Sequence, residues 1–416
     1  MRDDDTDDDT DDDTSEALSR YVREEAGALV ASLTRELGDF DLAEDATQDA
    51  IVEALRHWPE SGAPREPGAW LRVTARRKAT DRLRREARRR ASQLPLEARE
   101  LPAPESAADD LDVADDRLIL IFMLCHPALS RESQVALIAR ALLGLTTRQL
   151  AKAFLTSEAA MTKRIVRAKR ALAETRAPFA IPAGAEARER LGVVLAAVYL
   201  LFNEGYLSAG PDHARHERLA RDAEWLASLL LRLLPDEPEV IGLLALIRLS
   251  LARQRARFDP LGDLILLENQ DRAGWDRAAI DGAIALLNRA LRQGQPGPFQ
   301  VQAAIAACHA RARLWQDTDW QVIVSLYDQL LSIMNAPVVR LNRAIALLYR
   351  DGPDAALAAL SPLTDRLSGY HLYHAARAQV LRAAGRSDEA AEEDQQAARL
   401  TANPAELRLL QRRLGY

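Results

Sequence analysis

The amino-acid sequence predicts an all-α protein. Aromatic residues make up only 5 % of its 416 residues, and alanine, leucine and arginine predominate, which is typical of helices packed through aliphatic side chains. In several segments the apolar residues recur at intervals of three and four, which is the spacing of one helix face. A chain of this length exceeds one small core, so we expect two or three domains.

The chain is predicted to begin with an acidic tail that leads into a helix. Residues 1–14 contain DDDT three times, a low-complexity run that cannot form a core and is expected to be disordered. This tail is either a solubilising or misassigned start of the chain or an arm that mimics DNA and inhibits the protein. A first helix is predicted over Glu16–Leu37, and Gly38 ends it.

A second helix, predicted over Asp41–Leu55, is strongly acidic. No lysine or arginine lies between Arg35 and Arg56. Such an acidic face is usually only solvated, but a face without counter-charges also suits a basic protein partner. Its acidic residues are Asp41, Glu44, Asp45, Asp49 and Glu53.

The following helix is predicted to be strongly basic. The Pro- and Gly-rich segment Pro59–Gly68 is expected to end the acidic helix at Trp58 and to form a loop. Residues 72–90 then hold ten basic and two acidic residues, a local charge of +8 in a chain whose net charge is −7. The buried face of this basic helix is predicted to include Val73 or Thr74. Because so many like charges repel one another, the helix favours a nucleic-acid surface over a purely structural role.

A linker is predicted between two domains. Residues 91–114 are rich in proline and acidic side chains, and an apolar helix over Leu118–Leu124 follows. Cys125 and His126 could suggest a metal site, but no further Cys or His is near in sequence, so a packed thiol and a histidine at a helix end fit better. Cys308 also lies in an apolar run, so both cysteines are predicted to be core residues in a reducing compartment.

The stretch Gly144–Arg176 predicts two helices joined by a tight turn. Thr146 and Gln149 have the spacing of a capping box at the start of the first helix. In the second helix, apolar residues recur at i, i+4, i+7 and i+11 from Met161 and form one buried stripe. The residues that project outward are then Thr162, Lys163, Arg164, Arg167, Lys169 and Arg170. This pattern favours a helix-turn-helix with a basic outer face, and an ordinary solvated hairpin is the alternative.

The remaining residues, 177–416, are again predicted to be helical, and the last of them repeat. LNRAIAL at 341–347 aligns with AARAQVL at 375–381, an offset of 34 residues that is the tetratricopeptide period. The repeats are clearest in residues 337–416. Small residues would let the helices of such a solenoid cross closely; they are Ala344, Ala346, Ala356, Ala378 and Ala390.

Other candidate sites in this part of the chain are weaker. The histidine pairs His213/His216 and His371/His374 have i, i+3 spacing, but neither has an obvious third ligand, so no metal site and no cofactor are predicted. The polar patch Glu268–Trp275 has two possible interpretations, a structural loop or a docking surface. No P-loop, HExxH or GxSxG motif occurs, so we do not expect an enzyme.

Neither membrane insertion nor export is predicted. The acidic N-terminus does not fit a signal peptide, and the longest apolar run, Val193–Phe202, is too short to cross a bilayer. We therefore expect a cytoplasmic protein.

The order of these elements resembles that of an extracytoplasmic-function sigma factor of bacterial RNA polymerase. AEDATQDAIVEAL looks like the core-binding helix of that family, PGAWLRVTARRKATDRLRR like its promoter-melting helix, and LTTRQLAKAFLTSEAAMTKRIVRAKRAL like its fourth-domain helix-turn-helix. The resemblance implies a sigma domain 2 at 15–90, the linker at 91–114 and a sigma domain 4 at 115–176.

The resemblance also implies partners and site residues. The partners would be the β and β′ subunits of core polymerase and promoter DNA. The residues that would face the β′ clamp helices are Asp45, Gln48 and Asp49. Those at the −10 DNA would be Arg72, Arg76, Arg77, Arg82 and Arg85, and those at the −35 DNA would be Thr156, Ser157, Ala160, Lys163, Arg164 and Arg167.

The second half resembles the extension carried by one subgroup of these sigma factors, notably in ERLGVVLAAVYLLFNEGY and GDLILLENQDRAGWD. The resemblance implies that this tetratricopeptide-like extension contacts the sigma domains and regulates them. Two alternatives remain at this point. The chain could be a stand-alone helix-turn-helix regulator with a sensor domain, which would not need the acidic and basic helices, or a scaffold whose repeats carry the function.

Overall fold

The structure is a computed structural model that describes residues 26–62, 64, 66–91, 113–154, 156–207, 213–259, 262–401 and 403–415. These residues form helices and no strand; the one β-bridge among them is antiparallel and joins Phe258 to Leu264. The all-α prediction is therefore confirmed. The acidic tail 1–14 and most of the predicted linker 91–114 lie outside the described residues.

The chain divides into two compact units, Met1–Ala197 and Val198–Tyr416. The helices of the first unit begin with α1, whose described part is 26–37. The others are α2 (Phe40–Ser61), α3 (Pro67–Ala91), α4 (Val113–Leu124), α5 (Arg131–Leu143), α6 (Thr147–Ala153), α7 (Glu158–Thr175) and α8 (Gly184–Leu207), within which the division between the units falls.

Helices α1, α2 and α3 share one apolar core. Trp58 at the end of α2 lies against Trp70 of α3, with ring centroids 5.5 Å apart in an edge-to-face arrangement. Thr74 is buried and Val73 is exposed, which decides between the two predicted stripe positions. The aliphatic part of this core consists of Ala26, Leu29, Leu33, Ala43, Ala50, Ile51, Ala54, Leu71 and Ala75.

The end of α2 differs from the prediction. The helix continues through Pro59 to Ser61, and the connection to α3 is shorter than the predicted loop Pro59–Gly68 because α3 already begins at Pro67. A proline removes only one helical hydrogen bond when it lies in the last turn. Gly62, with φ of 76°, donates its N–H to the carbonyl of Trp58 and ends the helix in a backbone conformation that favours glycine.

Helices α4 to α7 form the second part of the first unit. Helix α5 is capped at its start by Ser130, whose side chain accepts a hydrogen bond from the Ser133 N–H, and at its end by Gly144, which lies in the left-handed region. Nearly every residue of α5 from Gln134 to Leu143 is buried. Helix α5 is therefore the central element against which α4, α6 and α7 pack.

The second unit contains a further series of helices after α8. They are α9 (His213–Leu233), α10 (Pro238–Leu251), α11 (Arg277–Leu291), α12 (Pro298–Arg311), α13 (Trp320–Ile333), α14 (Pro337–Asp351), α15 (Pro353–Leu360), α16 (Thr364–Leu367), α17 (His371–Ala383), α18 (Ser387–Leu400) and α19 (Pro404–Arg413).

Helices in the last part of this unit recur at the predicted interval. Helices α14 and α17 begin 34 residues apart, at Pro337 and His371, and so do α15 and α18, at Pro353 and Ser387. Helix α14 packs against α15, and α17 packs against α18. The five alanines expected at the helix crossings, from Ala344 to Ala390, are all buried.

The polar segment Glu268–Trp275 is packed into the second unit as a structural connection. Gln270, Arg272 and Trp275 are buried. Arg272 donates to the carbonyl oxygens of His309 and Ala312, each at 2.9 Å. Of the two alternatives left open by the sequence, these contacts favour the structural loop.

Candidate functional site

The acidic helix α2 lies beside the basic helix α3, and their charges pair. The guanidinium of Arg82 donates to Asp45 at 2.6 Å and to Asp49 at 2.8 Å. One helical turn further along α2, Glu53 accepts from Arg77 at 2.8 Å and pairs with Lys78. The counter-charges that α2 lacks in its own sequence are thus supplied by the next helix.

This pairing shifts the titration of the groups at its centre. Burial opposes the charged form of Asp45, but hydrogen bonds and positive charge from Lys169 and Arg82 outweigh it and lower the pKa of Asp45. Burial likewise opposes the charge on Arg82, and Asp45 with Asp49 nevertheless raise its pKa. For the half-buried Glu53, the hydrogen bond from Lys78 lowers the pKa. Asp45, Glu53 and Arg82 are therefore each held in the charged form at neutral pH.

The five arginines predicted at −10 DNA have different surroundings. Three of them pair with carboxylates of the neighbouring helices: Arg76 with Glu36 at 2.7 Å, and Arg77 and Arg82 as described above. Arg72 and Arg85 are exposed, and Arg85 donates to the carbonyl of Asp81 at 3.3 Å. Of the three paired arginines, Arg82 has the least exposed side chain. Its contacts therefore give it a structural role between α2 and α3.

The hairpin of α6 and α7 is capped as the sequence predicts. The Thr146 N–H donates to Gln149 Oε1 at 2.8 Å, and the Gln149 N–H donates to Thr146 Oγ1 at 3.2 Å, which is the reciprocal capping box. Ser157 caps α7 by accepting from the Ala160 N–H at 3.2 Å. Leu155, in the predicted turn, lies outside the described residues.

The outer face of α7 exposes most of the predicted residues. Ser157, Ala160, Lys163 and Arg167 are exposed, whereas Thr156 and Arg164 are half-buried. Val166 lies on the same face and is 59 % exposed; its apolar character kept it out of the predicted set. The face is a basic surface with one exposed valine near its middle.

Lys169 corrects the prediction for this helix, because it is buried and does not project outward. Its ammonium pairs with three carboxylates of α2: Glu44 at 2.7 Å, Asp45 at 2.9 Å, and Asp41. Burial works against the charged form, yet these carboxylates together raise the pKa of Lys169. Lys169 comes four residues after Ile165 and three before Leu172, so its place beside the buried stripe was readable from the helical spacing.

Helix α5 also reaches α2. The carboxylate of Glu44, whose residue is 0 % exposed, accepts from Arg140 Nε at 2.7 Å. The carbonyl of Arg140 accepts a hydrogen bond from Gln48 Nε2 at 3.4 Å. Sequence reasoning did not identify Glu44 and Arg140 as a site, because they are 96 residues apart and no local pattern connects them.

Two further contacts join the two parts of the first unit. Arg35 of α1 pairs with Asp116 of α4 at 3.2 Å. A side chain at Gly27 would place its Cβ 2.9 Å from Leu142 Cδ2 and 3.3 Å from Leu142 Cα, so α1 and α5 approach too closely there for any larger residue to fit without movement. The contact surface is thus both charged and close-packed.

Among the other residues considered as metal ligands, two histidines pair with carboxylates. His371 pairs with Glu406 at 2.9 Å, and His374 contacts Glu393 at 2.6 Å. Cys125 is fully buried, and burial raises the pKa of its thiol. For His213 and His216 the structure describes only the helical backbone. Within the described ranges, every helix is too short or too polar to span a bilayer.

An aromatic cluster in the second unit borders a cavity of about 230 Å³. Tyr349 lies at its edge, stacked on Trp320 with ring centroids 4.4 Å apart. The Tyr349 hydroxyl donates to Glu268 at 2.9 Å and accepts from Gln379 at 2.7 Å. Burial, with Glu268, raises the pKa of Tyr349. His309 lines the same cavity, and burial beside two arginines lowers its pKa to about 3.

Comparison with known proteins separates the chain into two recognisable regions. The model of the family Sigma-70 region 2 matches residues 21–89, which include α2 and most of α3. The model of the Family of unknown function (DUF6596) matches residues 190–291, which end with α11. Uncharacterized protein R00370 of Rhizobium meliloti (strain 1021) is 44 % identical over 393 residues, covering 93 % of this chain and 92 % of its own. No solved structure matches the chain.

Proposed function

Because the chain belongs to the sigma-70 family by its match to Sigma-70 region 2, we propose that it is a sigma factor of the extracytoplasmic-function type with a fused regulatory extension. It brings core RNA polymerase to specific promoters and initiates transcription there. The chemistry stays with the polymerase, and this chain supplies binding surfaces.

The observation that carries the proposal is the Sigma-70 region 2 match together with the geometry of that region. We propose that Asp45, Gln48 and Asp49 of helix α2 are the residues that contact the β′ subunit of the polymerase. Helix α3 continues with the arginine-rich surface that we propose for −10 DNA, where Arg72 and Arg85 are exposed. Arginines are suited to phosphate contacts because they remain charged and can donate several hydrogen bonds.

We assign the second DNA contact to the α6–α7 hairpin as a helix-turn-helix. Its exposed basic face would enter the major groove at the −35 element, with Lys163 and Arg167 at the phosphates and the first turn of α7, after Ser157, near the bases. A contact between the β subunit and this region belongs to the same proposal.

We assign regulation to the tetratricopeptide-like second unit. Support comes from the 34-residue recurrence of α14 and α17 and of α15 and α18, since helical repeats of this period commonly form binding surfaces. Contact between this extension and the sigma domains stays a prediction.

The direct test is promoter-specific run-off transcription. Purified chain is added to core polymerase with a library of promoter fragments, and core alone is the control. We expect discrete transcripts that depend on the chain. A chain that binds DNA without raising transcription above that of core alone would instead be the stand-alone regulator.

A further inference from the structure

We propose that the first unit masks its own polymerase-binding face: α5 and α7 close over α2 through Arg140 and Lys169, and core polymerase binds only after this contact opens. The inference rests on the proposed function for what α2 binds. The contact itself is a feature of this chain alone and can be tested without polymerase.

The first step is that the masking helices use the same side chains as the proposed partner. Of the three residues assigned to polymerase, Asp45 is shared between Arg82 and Lys169, and Gln48 donates to the carbonyl of Arg140. Asp49 differs from these two, because the bond found for it comes from Arg82 of α3. A basic polymerase surface and the α5–α7 pair cannot both occupy Asp45 and Gln48.

The second step is that the ion pairs of Lys169 and Arg140 with α2 are buried, unlike ion pairs on the protein surface. Lys169 is 9 % exposed, and Glu44, which holds both Lys169 and Arg140, is completely buried. A buried charge that loses its partner is strongly destabilising, whereas an exposed pair contributes little. The closed state is therefore specific, and it opens readily only when other cations replace Lys169 and Arg140.

The third step is that the same closure is held by contacts that do not involve α2. Gly27 of α1 touches Leu142 of α5, and Arg35 of α1 pairs with Asp116 of α4. Opening must separate these contacts together, so the first unit has two discrete states instead of a continuous range. A basic partner that competes for α2 shifts the population toward the open state.

The test uses the full chain and two variants. Lys169→Ala removes the central cation, and Asp41→Asn removes one carboxylate that is 61 % exposed, so the second variant leaves no buried charge unpaired and retains the fold. Arg221→Ala, which breaks an exposed pair with Glu217 in the second unit, is the matched control for loss of one charge. Circular dichroism checks that each variant is folded.

Two measurements are made on each protein. The first is the distance between spin labels on cysteines introduced at Arg56 of α2 and Glu174 of α7, both exposed, with Cys308 replaced by serine. The second is the affinity for core polymerase. Because the apparent dissociation constant scales inversely with the open fraction, we expect Lys169→Ala to bind core about tenfold more tightly, which corresponds to about 1.4 kcal/mol.

In the free wild-type protein we expect one short label distance that lengthens in Lys169→Ala and, to a smaller extent, in Asp41→Asn. Addition of core should lengthen the distance in the wild type. The inference is overturned if both variants keep the wild-type distance and affinity while remaining folded. If the labels separate but no form of the protein binds core, the closed contact stands and the masking of polymerase falls together with the proposed function.

Discussion

Glu44 and Lys169 are the residues at which the structure adds most to the sequence. The sequence shows an acidic helix without counter-charges and a basic helix with a lysine near its buried stripe. Hydrophobic spacing places each side chain on its own helix, but it does not say which helix faces which. Lys169 and Asp41 are 128 positions apart in the sequence and no local pattern joins them, so this part of the site could not be predicted.

His309 gives a prediction for stability against pH. Its pKa is lowered to about 3, first by burial and then by Arg253 and Arg272. Between pH 6.5 and about 3 the unfolded chain binds a proton at this histidine and the folded chain does not, so the folded state loses stability as the pH falls. The loss is about 1.4 kcal/mol per pH unit below 6.5, or about 2 kcal/mol between pH 7 and pH 5.

The measurement is urea unfolding followed by tryptophan fluorescence at pH 7 and pH 5. His309→Phe keeps a ring beside Trp315, with which His309 is nearly parallel, and cannot take up a proton. The variant should therefore lose about 2 kcal/mol less than the wild type over this range. Equal losses in both proteins would show that His309 does not carry the effect.

Lys163 and Arg167 give a prediction at the DNA. Both are exposed on the outer face of α7. If each meets one phosphate, Lys163→Ala and Arg167→Ala should each lower the slope of log binding constant against log salt by about 0.9, because one fewer counterion is released. Fluorescence anisotropy with a −35 duplex at several salt concentrations measures the slope. An unchanged slope removes the residue from the DNA contact, and Arg221→Ala should leave it unchanged.

At the scale of elements, most helices were predictable because their signals are local. The capping box of Thr146 and Gln149, the stripe that begins at Met161 and the break at Gly38 all depend on residues within a few positions of one another. The acidic helix was predicted over Asp41–Leu55, with a stop at Trp58 before Pro59, whereas α2 continues to Ser61. A proline in the last turn of a helix removes only one backbone hydrogen bond. The packing of Trp58 on Trp70 also holds this end of α2 in place.

The pairing of α2 with α3 gives a prediction of stability. Arg82 bonds to Asp45 and Asp49 while remaining about one-third exposed, so solvent screens part of its contribution. We expect Arg82→Ala to lower the free energy of unfolding of the first unit by about 1 kcal/mol.

The control for this prediction is Arg85→Ala on the same helix, where the arginine is exposed and bonds to the carbonyl of Asp81. Thermal unfolding of the two variants side by side provides the measurement. A loss in Arg82→Ala that does not exceed the loss in Arg85→Ala would contradict a structural role for Arg82.

The helix crossings of the second unit give another prediction. Ala344 of α14 is 0 % exposed and belongs to the same core as Ala356 of α15. Ala344→Leu should destabilise the second unit by about 1–3 kcal/mol, because added methylenes in a full core force the helices apart. Ala358→Leu, at an exposed position of α15, is the matched control and should have little effect on the urea midpoint. Equal midpoints would mean that the crossing has room for a larger side chain.

At the scale of the whole molecule, the all-α class followed from composition and period, and the Sigma-70 region 2 match agrees with the resemblance of the first part. What sequence could not give was the closure of the first unit, which depends on tertiary contacts such as Gly27 against Leu142. The division between Ala197 and Val198 also falls inside one helix, where no linker composition marks it. The predicted domain limits therefore stay predictions.

Removal of residues 177–416, which comprise the end of the first unit and all of the second, tests the proposed regulation. Helix α7 ends at Thr175, and Arg176 caps it in the left-handed region with φ of 48°, so a chain cut after Arg176 keeps every helix from α1 to α7. We expect this shortened chain to retain its helical circular dichroism and to give a different level of promoter-specific transcription from the full chain. Identical transcription from both would exclude a regulatory role of the extension under those conditions.

The long sequence separation of the contacts on α2 has a consequence for the time at which they form during synthesis. Asp49 meets Arg82 after only 33 further residues, whereas Asp41 meets Lys169 after 128. At about 5–20 residues per second, a ribosome needs on the order of 10 s to make the intervening chain. The α2–α3 pair is therefore synthesised before α7, and for that interval the carboxylate of Asp41 has no Lys169 to pair with.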